Sequence, residues 1–173
     1  MTEEKTWFKQ WPAKVPKSLD YPTVPLHELL SKTAKEYPNQ TAIAFVENEL
    51  SYSELAALSD SFAAALAALG VKKGDCVAVF LPNVPQFIIA YYGALKAGAV
   101  LTAISPLHRE REVEHQLADS QATVIVVLDS LYPIVEAVWQ KTKLKNVIVT
   151  SLEEYASKTS AAPQERLWCL GLG

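Results

Sequence analysis

Four short, almost unbroken apolar runs, Cys76 to Leu81, Ala99 to Ile104, Thr123 to Leu128 and Asn146 to Val149, are separated by stretches long enough for helices. A strand that is apolar at consecutive positions is buried on both faces, and strands joined by helices rather than tight turns run parallel. The alternation therefore predicts an α/β fold, a mainly parallel sheet with helices on both faces. A chain of 173 residues with 50% hydrophobic content carries enough apolar surface to build such a core. No internal repeat is visible beyond the alternation itself.

The segments between the runs read as helices with identifiable ends. Leu26, Leu29, Leu30, Ala34 and Tyr37 recur at helical spacing, and Pro38-Asn39 stops them. Thr41 to Val46 reads as a strand, followed by a turn at Glu47–Leu50 that leads into a short extended piece. Ser51 and Glu54 stand three apart ahead of Leu55, Leu58, Phe62, Leu66 and Leu69, the spacing of a capping box, and Gly70 suits the left-handed close of that helix. Asn83 is expected to cap a helix that runs to about Lys96 and ends at Gly98. Further helices are expected from about Arg109 to Ser120 and after Asp129. The N-terminal 1–25 mixes Trp7, Phe8, Trp11 and Tyr21 with four prolines and reads as an extension packed over a neighbouring surface. The organisation predicted is an extension over 1–25, an α/β subdomain over 26–156 and a linker-like, cut-short tail over 157–173.

Composition excludes several classes. The formal net charge is −3, and apart from a mixed-sign run at 108–115 the basic residues are dispersed, so no nucleic-acid footprint is present. The apolar stretch from Phe87 to Ile104 is long enough to raise a membrane span, but Lys96, Gly98 and the flanking prolines interrupt it, and a helix followed by a strand accounts for the same residues. Cys76 and Cys169 show no CxxC or Cys/His ligand spacing, and the charged Met1–Phe8 lacks the apolar core of a signal peptide. Both point to a reducing, cytoplasmic setting.

Motifs that would carry chemistry are sparse. No Gly-x-Gly-x-x-Gly follows a strand and no Walker-type loop occurs; the strand ends carry Leu81-Pro-Asn-Val-Pro85 and Ile104-Ser-Pro-Leu-His108. His108 and His115 bracket the one cluster that resembles a metal or acid–base site. On a helix they lie two turns apart, about 10 Å, too far to ligate one ion. That cluster reads as a solvated helix face. Asp75 beside Cys76 gives no base to activate the thiol, and Cys76 reads as core. Ser51, Ser53, Ser59 and Ser61 lack a nucleophile elbow. The Tyr91-Tyr92 and Trp7/Trp11 pairs read as packing. No catalytic, cofactor-binding or metal residue is assigned.

Taken in order, Leu50-Ser-Tyr-Ser-Glu-Leu, Gly70-Val-Lys-Lys-Gly-Asp-Cys-Val-Ala-Val, Pro82-Asn before a helix, Leu95-Lys-Ala-Gly-Ala-Val and Pro106-Leu followed by Arg109-Glu, Glu114-His-Gln-Leu and Asp119-Ser120 form a recognisable series. Over about residues 25 to 150 the chain resembles the N-terminal region of AMP-forming acyl-CoA synthetases of the adenylate-forming superfamily, closest to long-chain fatty-acid–CoA ligases. The resemblance implies a parent enzyme that joins a carboxylate to AMP using ATP and Mg and then transfers the acyl group to coenzyme A. It implies the N-terminal subdomain of that fold, with the remainder of the same ligase as partner and fatty acid and coenzyme A as the parent's substrates. The family's Ser/Thr/Gly-rich loop ending in Pro-Lys-Gly, its Tyr-x-x-Thr-Glu, its Thr-Gly-Asp and its C-terminal lysine do not occur here. The 173 residues alone are thus expected to hold no cofactor and to be inactive. Alternatives are a piece of another adenylate-forming ligase, such as an aryl-CoA ligase or an adenylation domain, or an autonomous α/β binding module. Homo-oligomers through the aromatic residues of 7–21, and at most peripheral membrane contact, are further expectations.

Overall fold

A computed structural model describes residues 5–156 together with the backbone of Trp168–Leu170. The helix α1 (Leu26–Glu36) precedes a two-stranded antiparallel hairpin of β1 (Thr41–Phe45) and β2 (Asn48–Ser51). That hairpin turns through Val46, whose φ of 56° is left-handed. It forms a sheet of its own and takes no part in the main sheet. Helix α2 (Tyr52–Ala68) begins at the expected capping box: the Glu54 N–H donates to Ser51 Oγ at 3.3 Å, and the Ser51 N–H donates to Glu54 Oε2 at 2.8 Å. Gly70, with φ +84°, leads the chain out of it.

The main sheet follows from β3 (Cys76–Phe80), α3 (Pro85–Lys96), β4 (Val100–Ala103), α4 (Glu110–Ser120), β5 (Val124–Leu128), α5 (Tyr132–Val138) and β6 (Asn146–Thr150), with a short α6 (Glu153–Ala156) and a last strand β7 (Trp168–Leu170). Strand order is β4-β3-β5-β6-β7; the first four are parallel, and β7 pairs antiparallel to β6. β3 and β5 are buried at every position because each lies between two strands and under two layers of helix.

Alternate side chains of the sheet feed two cores. Val77, Val79, Val124 and Val126 pack with Leu55, Phe62 and Leu66 of α2 and Ile89, Ala90 and Ala94 of α3. Ala78, Phe80, Ile125 and Val127 pack with Val113 and Leu117 of α4 and Val135 and Val138 of α5. Lys96, which breaks the apolar run in the sequence, reaches across to α2: its Nζ donates to Asp60 Oδ1 at 2.7 Å and to Ala56 O at 3.2 Å.

Four details differ from the sequence reading. Asn48–Leu50, read as part of a turn, belong to β2 and pair with β1, because the chain reverses at Val46. Asn83 is not the cap of α3; Val84 holds that place, with no side-chain cap, and Pro85 starts the helix with its pre-set φ. β4 is an edge strand with Val100 55% exposed, not a strand buried on both faces. The helix after Asp129 opens with a 3₁₀ turn over Asp129–Leu131. Of the tail 157–173, residues 157–167 and 171–173 lie outside the described residues, while Trp168–Leu170 are strand.

Candidate functional site

In open α/β sheets, ligands bind beyond the carboxyl ends of the strands, at the point where the strand order reverses. Here the chain leaves β3 in one direction to reach β4, then crosses back over β3 to β5 and continues to β6. Right-handed crossovers accordingly put α3 on one face and α4 and α5 on the other. The reversal falls between β3 and β5, and the candidate edge is made by residues 81–84, 129–131 and 150–151.

This edge is held by a buried polar chain that the sequence did not reveal. Gln86, in the first turn of α3, donates from Nε2 to Thr150 Oγ1 at 3.1 Å and to the Ser151 carbonyl at 2.8 Å. The Thr150 hydroxyl in turn donates to Glu154 Oε2 at 2.8 Å, and the Ser151 N–H donates to Glu154 Oε1 at 3.4 Å. Gln86 Oε1 is buried without a partner. A polar residue two places after Val84 in an otherwise apolar helix was the available signal, but its partners lie 64 and 65 positions away. Next to this chain, Asn48 Nδ2 donates to the Tyr155 carbonyl at 2.6 Å and pins the hairpin to α6. Burial, with the neighbouring Glu154 charge, pushes the Tyr155 phenol up to about 12.

Phosphate recognition needs free N–H groups and cationic side chains. On this edge Pro82 and Pro85 have no N–H, the Val84 N–H donates to the Pro82 carbonyl at 2.9 Å, and the Phe87 N–H donates to the Val84 carbonyl at 3.0 Å. Its charged side chains are Asp129, Glu153 and Glu154, and Asp129 Oδ1 is turned back onto the Ser130 N–H at 2.6 Å. Among the described residues no group of three His, Cys, Asp or Glu could hold a metal. Among the described residues, 81–84, 129–131 and 150–151 thus offer a phosphate no cationic side chain.

The remaining candidates have local roles. His108, Arg111, Glu112, His115, Gln116 and Asp119 line an open groove on the outer side of α4. Glu112 Oε2 accepts the Arg109 N–H at 3.0 Å, which holds its carboxyl below the usual range, with smaller help from His108 and Arg111. Gln116 Nε2 donates to Thr102 Oγ1 at 2.9 Å and to the Ala103 carbonyl at 2.8 Å, and Glu114 pairs with Lys141 at 3.2 Å. Cys76 is buried in β3, and desolvation pushes its thiol up against a lowering hydrogen bond from Ser120. Ser59 and Ser61 back-bond to the Leu55 and Ala57 carbonyls, Ser51 caps α2 while its hydroxyl also meets that of Ser53 at 3.1 Å, and Asp75 Oδ2 accepts the Lys72 N–H at 2.7 Å. Tyr91 and Tyr92 meet edge to face at 5.5 Å; burial, then the neighbouring Tyr91 and Tyr52, raises the Tyr92 phenol.

Fold and edge define a doubly wound α/β subdomain that presents a braced sheet edge. Residues 30–168 match the AMP-binding enzyme family, and the chain belongs to it. It is 38% identical over 157 residues to a long-chain-fatty-acid–CoA ligase of Bacillus subtilis (strain 168), covering 90% of this chain and 28% of that protein. A ligase of the same description from Yersinia pestis is 37% identical over 158 residues, covering 89% of this chain and 28% of that protein. Among solved structures, a long-chain-fatty-acid–CoA ligase from Archaeoglobus fulgidus superposes with a TM-score of 0.71 at 28% identity, over 80% of this chain and 31% of that one. The chain thus spans less than a third of the length of these relatives.

Proposed function

We propose that these residues are the N-terminal subdomain of a fatty-acid–CoA ligase, in which they serve as scaffold and not as the centre of chemistry. The 38% identity to a fatty-acid–CoA ligase across 90% of the chain carries this reading. The parent reaction joins a fatty acid to AMP at the expense of ATP with Mg and then passes the acyl group to coenzyme A. What this chain contributes is a rigid sheet edge, braced by Gln86, Thr150 and Glu154, against which the rest of the ligase builds its site. The buried free thiol of Cys76 supports a reducing, cytoplasmic setting. Among the described residues no helix is long and apolar enough to cross a membrane.

Acid-dependent ATP–pyrophosphate exchange tests this. The 173-residue chain is expected to show none, and a protein that joins it to the remaining ligase segments is expected to exchange, with a preference for long acyl chains. Exchange by the 173 residues alone would sink the scaffold role, and a preference for aromatic acids would reassign the substrate class.

A further inference from the structure

We propose that Gln86 Oε1 is the docking acceptor for a peptide N–H of a ligase segment outside this chain, so that the rest of the enzyme takes its register on the sheet edge from one buried amide. The inference rests on the ligase reading for the source of that N–H and on the Gln86 geometry for the rest. Gln86 is 8% exposed, and its Oε1 is buried without a hydrogen-bond partner. An acceptor in that state costs stability until a donor arrives. Such atoms are rare in native proteins, and this one lies at the edge where a site is expected.

The protons around the amide decide what the missing partner is. Both Nε2 hydrogens are spent, one on the Ser151 carbonyl at 2.8 Å and one on Thr150 Oγ1 at 3.1 Å. The Ser151 carbonyl can only accept, so exchanging the amide oxygen and nitrogen would set two acceptors against each other. The Thr150 hydroxyl proton goes to Glu154 Oε2 at 2.8 Å and does not serve Gln86. What remains is a bare carbonyl oxygen, which takes a donor and refuses phosphates, carboxylates and carbonyls. Among donors, an ammonium brings three protons and a guanidinium five to a place with one free oxygen. Enclosed there, a cation with unpaired protons is costly. A peptide N–H brings a single proton and suits the place.

The position of the amide favours an arriving segment over a local partner. α3 follows the end of β3, Thr150 and Ser151 close β6, and β5 lies between those two strands. The Gln86 side chain therefore crosses the carboxyl end of β5, beside the reversal of strand order. This chain accounts for 28% of its Bacillus subtilis relative and 31% of the solved Archaeoglobus fulgidus ligase, so most of an enzyme of that length is available to cover the edge. Only a small displacement stands between such a segment and the amide: of residues 150–156 only Thr150 is buried, and α6 is four residues long.

Selective carbon-13 labelling of glutamine side-chain carbonyls tests this, in the 173-residue chain and in a protein that joins it to the remaining ligase segments. Gln86→Met identifies the Gln86 signal by its loss. A carbonyl carbon moves downfield when its oxygen accepts a hydrogen bond, so the Gln86 signal is expected to move downfield on joining. Acid-dependent ATP–pyrophosphate exchange by the joined protein gives a second reading. Gln86→Met and Thr150→Val both loosen the brace, but only the first leaves the arriving N–H unpaired, so Gln86→Met should exchange about ten-fold more slowly than Thr150→Val. An unmoved Gln86 signal, whether or not the joined protein exchanges, would overturn the proposal, and so would equal losses in the two variants. A signal that moves in a joined protein without exchange would uphold the contact and remove the ligase reading instead.

Discussion

Gly93→Ala isolates the closest approach between two helices. On an exposed helix this change stabilises by about 1 kcal/mol, because alanine has less backbone freedom to lose. Gly93 is instead buried in α3 against α2, and a Cβ there would lie 2.7 Å from Phe62 Cδ1 and 3.0 Å from both Phe62 Cβ and the Ser59 carbonyl oxygen. Carbon atoms rest about 3.5–4.0 Å apart, so the helices must separate or Phe62 must turn. The Ser59 oxygen cannot yield easily, since it is a backbone carbonyl in the interior of α2 and moves only with the helix. Overpacking of this sort costs about 1–3 kcal/mol. With backbone as one of the obstacles the cost falls in the upper part of that range, leaving a net loss of about 1–2 kcal/mol. For a domain of this size that lowers Tm by about 3–6 °C. Thermal and urea unfolding of the parent and Gly93→Ala measure it, and a Tm that is unchanged or raised would refute the packing argument. Phe62→Leu, alone and combined, separates the two obstacles. Recovery in the double variant identifies the ring, and simple additivity identifies the Ser59 backbone.

The capping box gives α2 a pH signature: hydrogen bonds from the Ser51 backbone N–H and then its hydroxyl hold the Glu54 carboxyl below its ordinary range. A carboxyl depressed in the folded state stabilises above its unfolded pKa and loses that contribution as pH falls through the folded value. Glu54→Gln should therefore be less stable than the parent at neutral pH and converge with it in acid, and Ser51→Ala should cost about 1 kcal/mol at pH 7. Urea titrations across the acid limb would show both, and parallel curves at all pH values would contradict them. Cys76, desolvated in β3, should resist thiol reagents in a Cys169→Ser background until the chain is unfolded. Stoichiometric modification in native buffer would show that β3 is less well covered than the structure indicates.

What was legible in the sequence was whatever is decided within a few residues. Ser51 and Glu54 are three apart and meet as their types demand. Gly70 and Gly98 take φ of +84° and +77°, where a side chain would be strained. The runs at β3 and β5 read as doubly covered because both faces are apolar, and they are. What escaped depends on partners far along the chain. β4 carries a similarly apolar composition yet lies at the sheet edge, since apolar periodicity does not say which strand goes between which. Asn83 lost the cap to Val84 because Pro85 fixes where α3 begins. Gln86 stood out locally as a polar residue early in α3, but its partners at the end of β6 lie 64 and 65 positions away, and at the candidate edge that bridge is the main polar feature.

The exposed position of β4 has a bearing on solubility. The Ile104 N–H donates inward to the Val79 carbonyl at 2.8 Å, so the peptide groups of Ala103 turn the other way, toward the open side. An open strand edge is a template on which another chain can add and aggregate. Here the Ala103 carbonyl is already engaged by Gln116 at 2.8 Å, and β4 is only four residues long. A helix side chain thus acts as a gatekeeper, denying an incoming strand one of the few hydrogen bonds it could have made.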